Sequence, residues 1–225
     1  MEIAALQAAL QDNELRLVLI NVAAGDYMQG GDGLACIPGR EADFRQALQQ
    51  AADYVQALNV PRVNVLSGRK PNDVSQEACF GVLNDNLHEA VAVLKKAGAG
   101  TVVEAINPFD MPHTLVHSLK HMQLLCQDIH GLQMQFDCYH MSRMGEDILE
   151  TLRHNLGQVG HIQFADNPGR HEPGTGRLDY RPVFSLLHES DYSGWCGAEY
   201  KPSRQTEDTL GWMQLMEADL KESKT

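Results

Sequence analysis

Two periods of hydrophobic and polar residues take turns along the chain. Residues 41–58 place Phe44, Leu48, Ala51, Ala52, Val55 and Leu58 on one stripe, three and four apart, which predicts an amphipathic helix. Stretches 15–22, 60–68, 100–107 and 132–140 are instead short apolar runs, and they predict strands; 15–22, nearly all apolar, reads as a parallel strand covered on both faces. The same reading predicts helices at 2–11, 75–96, 112–129, 146–156, 181–190 and 207–222, with further strands from 160 and over 195–202. Strand and helix alternate without interruption, so a parallel α/β architecture is expected. Six strands fall short of the eight in a closed (β/α)₈ barrel, and the chain opens inside a helix. Either two units are missing at the amino end or the sheet is open. No Gly-x-Gly-x-x-Gly follows the first strand, which weakens the dinucleotide-binding version of an open sheet.

Polar groups interrupt four of these strands near their carboxyl ends. They are Glu104, Asp137, Gln163 and Glu199, each about one strand-loop-helix unit from the next. Consecutive parallel units place such groups on one rim, where βα loops build sites. Three carboxylates together repel unless a cation lies between them. Oxygen-only ligation favours Mg²⁺ or Mn²⁺ over zinc. Alone, any one of the four reads more simply as a structural or capping group; their joint register is what points to a metal. In the fifth strand, alternation sets His161, Gln163 and Ala165 on one face and Ile162, Phe164 and Asp166 on the other.

Composition narrows the choice of partner. A formal net charge of −12 argues against nucleic acid or an anionic membrane, though not against a small anionic substrate beside a bound metal. No apolar run approaches the ~20 residues that span a bilayer, and no signal peptide is visible. Five scattered cysteines without a Cys-x-x-Cys pair suit idle thiols in a reducing cytoplasm. The glycine-rich stretch 23–40 lacks a Gly-Lys-Ser/Thr and reads as a mobile lid rather than a phosphate cradle. His117 and His121 have metal-pair spacing, with a solvated helix face as the plainer reading. Serine-hydrolase and zincin motifs are absent.

At these strand ends the chain resembles the hydroxypyruvate isomerase family of the xylose-isomerase-like barrel superfamily. Stretches 21–26, 35–41, 103–112, 136–144, 165–176 and 194–202 carry the resemblance. It implies one domain over 1–225 of the (β/α)₈ TIM-barrel type, lacking the amino-terminal strand-helix-strand. It implies Glu104 and Glu199 as catalytic glutamates that also hold the metal, Asp137 and Gln163 as the remaining ligands, and His140, Arg170 and Asp110 as substrate contacts. The family reaction interconverts hydroxypyruvate and tartronate semialdehyde. That chemistry moves a proton between adjacent carbons through an enediolate, which two glutamates and a divalent metal suit. Ala105 replaces the family's usual proline, which loosens the turn but keeps the carboxylate; Arg177 replaces the usual glutamate, so substrate choice or a subunit contact is open. A 2-oxo-tetronate isomerase or ketose epimerase would share every site residue. A non-catalytic remnant binding a partner through an open barrel edge is the reading from another class, and a homo-oligomer is compatible with either. An endonuclease of the superfamily would want a zinc cluster and a basic groove, which this acidic chain does not offer.

Overall fold

The helix predicted at 41–58 is α2, Glu41–Leu58, and it shows how the fold is made. Phe44, Ala47, Leu48, Ala51, Ala52 and Val55 are buried, Glu41 and Asp43 sit in the first turn where the helix dipole favours acids, and Asn59 ends it in the left-handed conformation. The computed structural model describes residues 2–214. It comprises two compact units, Met1–Gln135 and Phe136–Thr225.

In the first unit α1 (Ile3–Asp12) precedes β1 (Leu19–Asn21), α2, β2 (Arg62–Val65), α3 (Gln76–Ala97), β3 (Gly100–Glu104), α4 (Leu119–Asp128) and β4 (Leu132–Asp137), which ends in the second unit. The strands lie in sequence order and pair in parallel, with Ile20 beside Val63, Asn64 beside Val102 and Glu104 beside Gln135. Ser75 caps α3 by accepting from the Ala78 N–H at 3.1 Å, and Gly98, at φ 107°, ends it. Val63, Val65, Val102 and Val103 are fully buried; each such side chain stabilises the fold by roughly 1.5–3 kcal/mol.

Three expectations for this unit need correction. The first strand spans three residues, half-buried to exposed, and Leu15 is 66% exposed; among the described residues β1 pairs with β2 alone, so it lacks the second neighbour that would cover it. The helix expected from 112 begins only at Leu119, capped by Ser118. Backbone groups before it are engaged elsewhere: the Leu115 N–H donates to Gly68 O and the Val116 N–H to Ser67 Oγ. Finally, 23–40 is an anchored loop rather than a lid. Tyr27 and Cys36 are fully buried, Asn86 donates to Ala35 O at 2.8 Å, and Tyr27 Oη meets Thr114 Oγ1 at 2.8 Å. Arg69 donates to the carbonyls of Tyr27, Gly31 and Pro112 and lies over the Tyr27 ring.

In the second unit the end of β4 leads into α5 (Cys138–Arg143), followed by α6 (Ile148–Asn155), β5 (Val159–Phe164), α7 (Arg181–Glu189) and β6 (Cys196–Ala198). Strands β5 and β6 are parallel, with Gln163 beside Gly197. The fourth strand was expected to reach residue 140 but ends at Asp137, whose side chain caps the next helix. The sixth stops at Ala198 because the Lys201 N–H turns away to Arg170 O. The helix expected over 207–222 opens as a 3₁₀ turn, Thr206–Thr209; its part beyond 214 lies outside the described residues. Phe164 packs edge-on against Phe184 and Trp212, 5.3 Å between centroids in each case.

Candidate active site

Glu104 and Asp137 are the last residues of their strands and Glu199 directly follows β6, Gln163 is next to the end of β5, and His140, Arg170 and Asp110 lie in the segments that follow. In the first unit Glu104 is the last residue of β3 and 6% exposed. Burying a carboxylate is costly unless polar partners meet it. Two amides from flanking strands do so: Asn64 Nδ2 and Gln135 Nε2 donate to Oε2 at 3.3 and 3.0 Å. Asn64 was not expected here, although a lone amide between Val63 and Val65 was a readable signal. Its Oδ1 is buried and accepts no hydrogen bond. Beyond Glu104, Asn107 folds a tight turn in which its Oδ1 accepts the N–H groups of Phe109 and Asp110 and its Nδ2 donates to Asp110 Oδ2 at 3.0 Å. Asp110 itself is exposed.

The second unit brings together Asp137, His140, Arg170 and Glu199. Asp137 is 1% exposed and its two oxygens have separate surroundings. Oδ1 accepts the N–H of Tyr139 at 2.7 Å and of His140 at 3.3 Å as helix cap. Oδ2 accepts no hydrogen bond and lies 3.6 Å from both His140 Nε2 and Arg170 Nη2. His140 reaches it through the helical turn, not along a strand as expected. Burial holds the Asp137 carboxyl above the ordinary range; the Arg170 cation and the two amide donors oppose that.

Glu199 follows β6, its N–H bound to Phe164 O. Arg170 Nη2 donates to its Oε2 at 2.6 Å, and the guanidinium carbon stands 5.2 Å from the centre of the Tyr139 ring. Although the side chain is 52% exposed, packing about the carboxyl raises its proton affinity, with Arg170 opposing and Asp137 adding. Gln163 is half-buried on β5, in register with Gly197 two residues before Glu199. Sequence reasoning missed Tyr139, and it placed Asp166 only by alternation; Asp166 is fully buried and bonded to backbone amides.

Other groups stay outside this chemistry. His117 and His121 contact each other edge-on at 4.6 Å, with His117 Nδ1 3.1 Å from the carbonyls of Thr114 and Leu115, so both are tied into their own segment. The five cysteines are free, and burial pushes Cys36 and Cys126 up to about 12 and Cys196 to about 11, as idle thiols should be.

A family model described as xylose isomerase-like TIM barrel matches residues 1–216. The chain belongs to that family. Hydroxypyruvate isomerase of Escherichia coli is 39% identical over 214 residues, covering 94% of this chain and 83% of the relative. The 2-oxo-tetronate isomerase of Cupriavidus necator is 36% identical, covering 94% and 82%. Among solved structures, one described as an AP endonuclease, family 2, from Brucella melitensis superposes with a TM-score of 0.90 at 30% identity, over 96% of this chain and 84% of that one. An L-ribulose 3-epimerase, at 17% identity and a TM-score of 0.79, shares the fold. This member of the xylose isomerase-like family is an isomerase of the (β/α)₈ type, with six parallel strands among its described residues. None of its described helices is long and apolar enough to cross a membrane.

Proposed function

We propose that the chain interconverts hydroxypyruvate and 2-hydroxy-3-oxopropanoate. The names of the relatives above support this substrate class, and the observation that carries the chemistry is the buried Asp137 Oδ2, which accepts no hydrogen bond. A buried carboxylate oxygen without a donor suits a cation. On this reading Glu104, Asp137, Gln163 and Glu199 hold a divalent ion, Mg²⁺ or Mn²⁺. Such an ion, when bound, draws electron density from the substrate's carbonyl and hydroxyl oxygens.

The chain's own groups handle the protons. Glu199 Oε2 takes a proton from C3 of hydroxypyruvate, and its raised proton affinity suits that task. Glu104, entering this step protonated, delivers a proton to C2 while the hydroxyl proton passes between the neighbouring oxygens; exchange with solvent then removes the proton left on Glu199 and restores the one on Glu104. The enediolate between these steps is an anion. Arg170 offers a planar fork for the substrate carboxylate, and His140 and Asp110 contact substrate oxygens. A 2-oxo-tetronate would use the same groups, since one relative so named is 36% identical.

The test is turnover of hydroxypyruvate and of a 2-oxo-tetronate by the 225-residue protein with Mg²⁺ or Mn²⁺, beside Glu199→Gln and Glu104→Gln. Activity in the parent that falls by about 10³ or more in each variant supports the proposal. An inactive parent with both substrates and both metals overturns it.

A further inference from the structure

Between β5 and α7 the second unit carries a segment folded around one carboxylate. Asp166 is fully buried, and both its oxygens are filled by main-chain donors. Oδ1 accepts the N–H of Asn167 at 2.8 Å and of Leu178 at 3.0 Å; Oδ2 accepts those of Gly174 and Gly176, each at 2.8 Å. Its backbone joins in, with the Arg170 N–H donating to Asp166 O at 3.0 Å and the Asp166 N–H to His171 O at 2.9 Å. The packing leaves no room at Gly176, where a Cβ would collide with Asp166 Oδ1 and come within 2.6 Å of Asn167 O. Arg170 lies inside this loop at φ 56°, the left-handed region that non-glycine residues enter only when surroundings require it. From there its guanidinium meets Glu199 and Asp137.

We propose that Asp166 is a positioning residue: its carboxylate gathers four loop amides so that Arg170 is held on Glu199 and Asp137. Asparagine at 166 would turn an NH₂ toward two of those N–H donors, which then have no acceptor, and the loop would release its hold on Arg170. A misplacement of about 1 Å at a reacting site costs on the order of 100-fold in rate.

The experiment has two arms on the full chain. Phenylglyoxal, which condenses with accessible guanidinium groups, is applied to parent, Asp166→Asn and Gly176→Ala, and labelling at Arg170 is read by peptide mass spectrometry against the exposed Arg45. The kinetic arm, which rests on the isomerase reading above, compares kcat/KM of D166N, R170K and the double variant. Expected are several-fold faster labelling of Arg170 in D166N and G176A, a loss of kcat/KM of about tenfold or more, and no further loss when D166N is added to R170K. Labelling needs no turnover, so an inactive parent would sink the substrate assignment and leave this arm decisive. If D166N does not fold, Gly176→Ala carries the test. Unchanged labelling in a folded variant, losses that multiply in the double variant, or failure of both variants to fold overturns the proposal.

Discussion

Arg170 Nη2 stands 2.6 Å from Glu199 Oε2 and 3.6 Å from Asp137 Oδ2, so one guanidinium edge serves two acids of unlike exposure. It opposes the protonation that burial promotes at both. Arg170→Ala therefore raises the proton affinity of Glu199 further. If Glu199 must be ionised to act, the acidic limb of the kcat/KM profile moves to higher pH in the variant, measured at saturating metal.

Asp137 contributes to how metal-free protein responds to pH. Its folded-state pKa is raised, so the folded chain binds this proton more tightly than the unfolded chain does. The contribution to stability is complete below the ordinary carboxylate value of about 4 and falls as pH rises from there through the folded value. Asp137→Asn removes that dependence. Urea midpoints of chelator-treated protein between about pH 4 and 8 should fall less steeply in the variant than in the parent.

Divalent metal should reverse the penalty at Asp137. At a hundred times its dissociation constant an ion stabilises the fold by about 2.7 kcal/mol. Thermal melts should show a rise with Mn²⁺ or Mg²⁺ that is lost in Asp137→Asn and reduced in Glu199→Gln. A parent whose melt ignores both ions would refute the metal assignment.

Asn64→Ala deprives the buried Glu104 of an amide donor. A hydrogen bond of this kind is worth about 0.5–1.5 kcal/mol, and the loss should appear in the urea midpoint at neutral pH. Activity should drop with it, because one of the donors that orient the Glu104 carboxyl is lost.

Arg69→Ala withdraws donors from three carbonyls in two different loops. A destabilisation of about 2 kcal/mol is expected. Limited proteolysis should then cut within 23–40 faster than in the parent, since this anchorage is what keeps the glycine-rich stretch from behaving as a lid.

Much of this was legible in the residues. The parallel α/β order followed from apolar periodicity, and helix 41–58 from its stripe. Glu104, Asp137 and Glu199 stood out as acids at strand ends. What stayed hidden was set by hydrogen bonds that no local pattern records. The segment from 112 looked helical, yet its amides are taken by Ser67 and Gly68. Alternation assigned Asp166 a strand face and said nothing of the amides that return to it from residues 174–178. His140 was placed on the fourth strand itself, whereas it lies in the helix that Asp137 caps, because an aspartate at a strand end and one that starts a helix are the same letter.

That double placement of Asp137 narrows what inheritance can do there. The start of α5 fixes Oδ1, and so the bearing of Oδ2 is set by the main chain instead of by a side-chain rotamer. A glutamate, one methylene longer, has to give up either the cap of α5 or the present bearing of its second oxygen. Exchange between the two acids, harmless at most surface positions, would here part the capping of the helix from the placing of the buried oxygen beside His140 and Arg170.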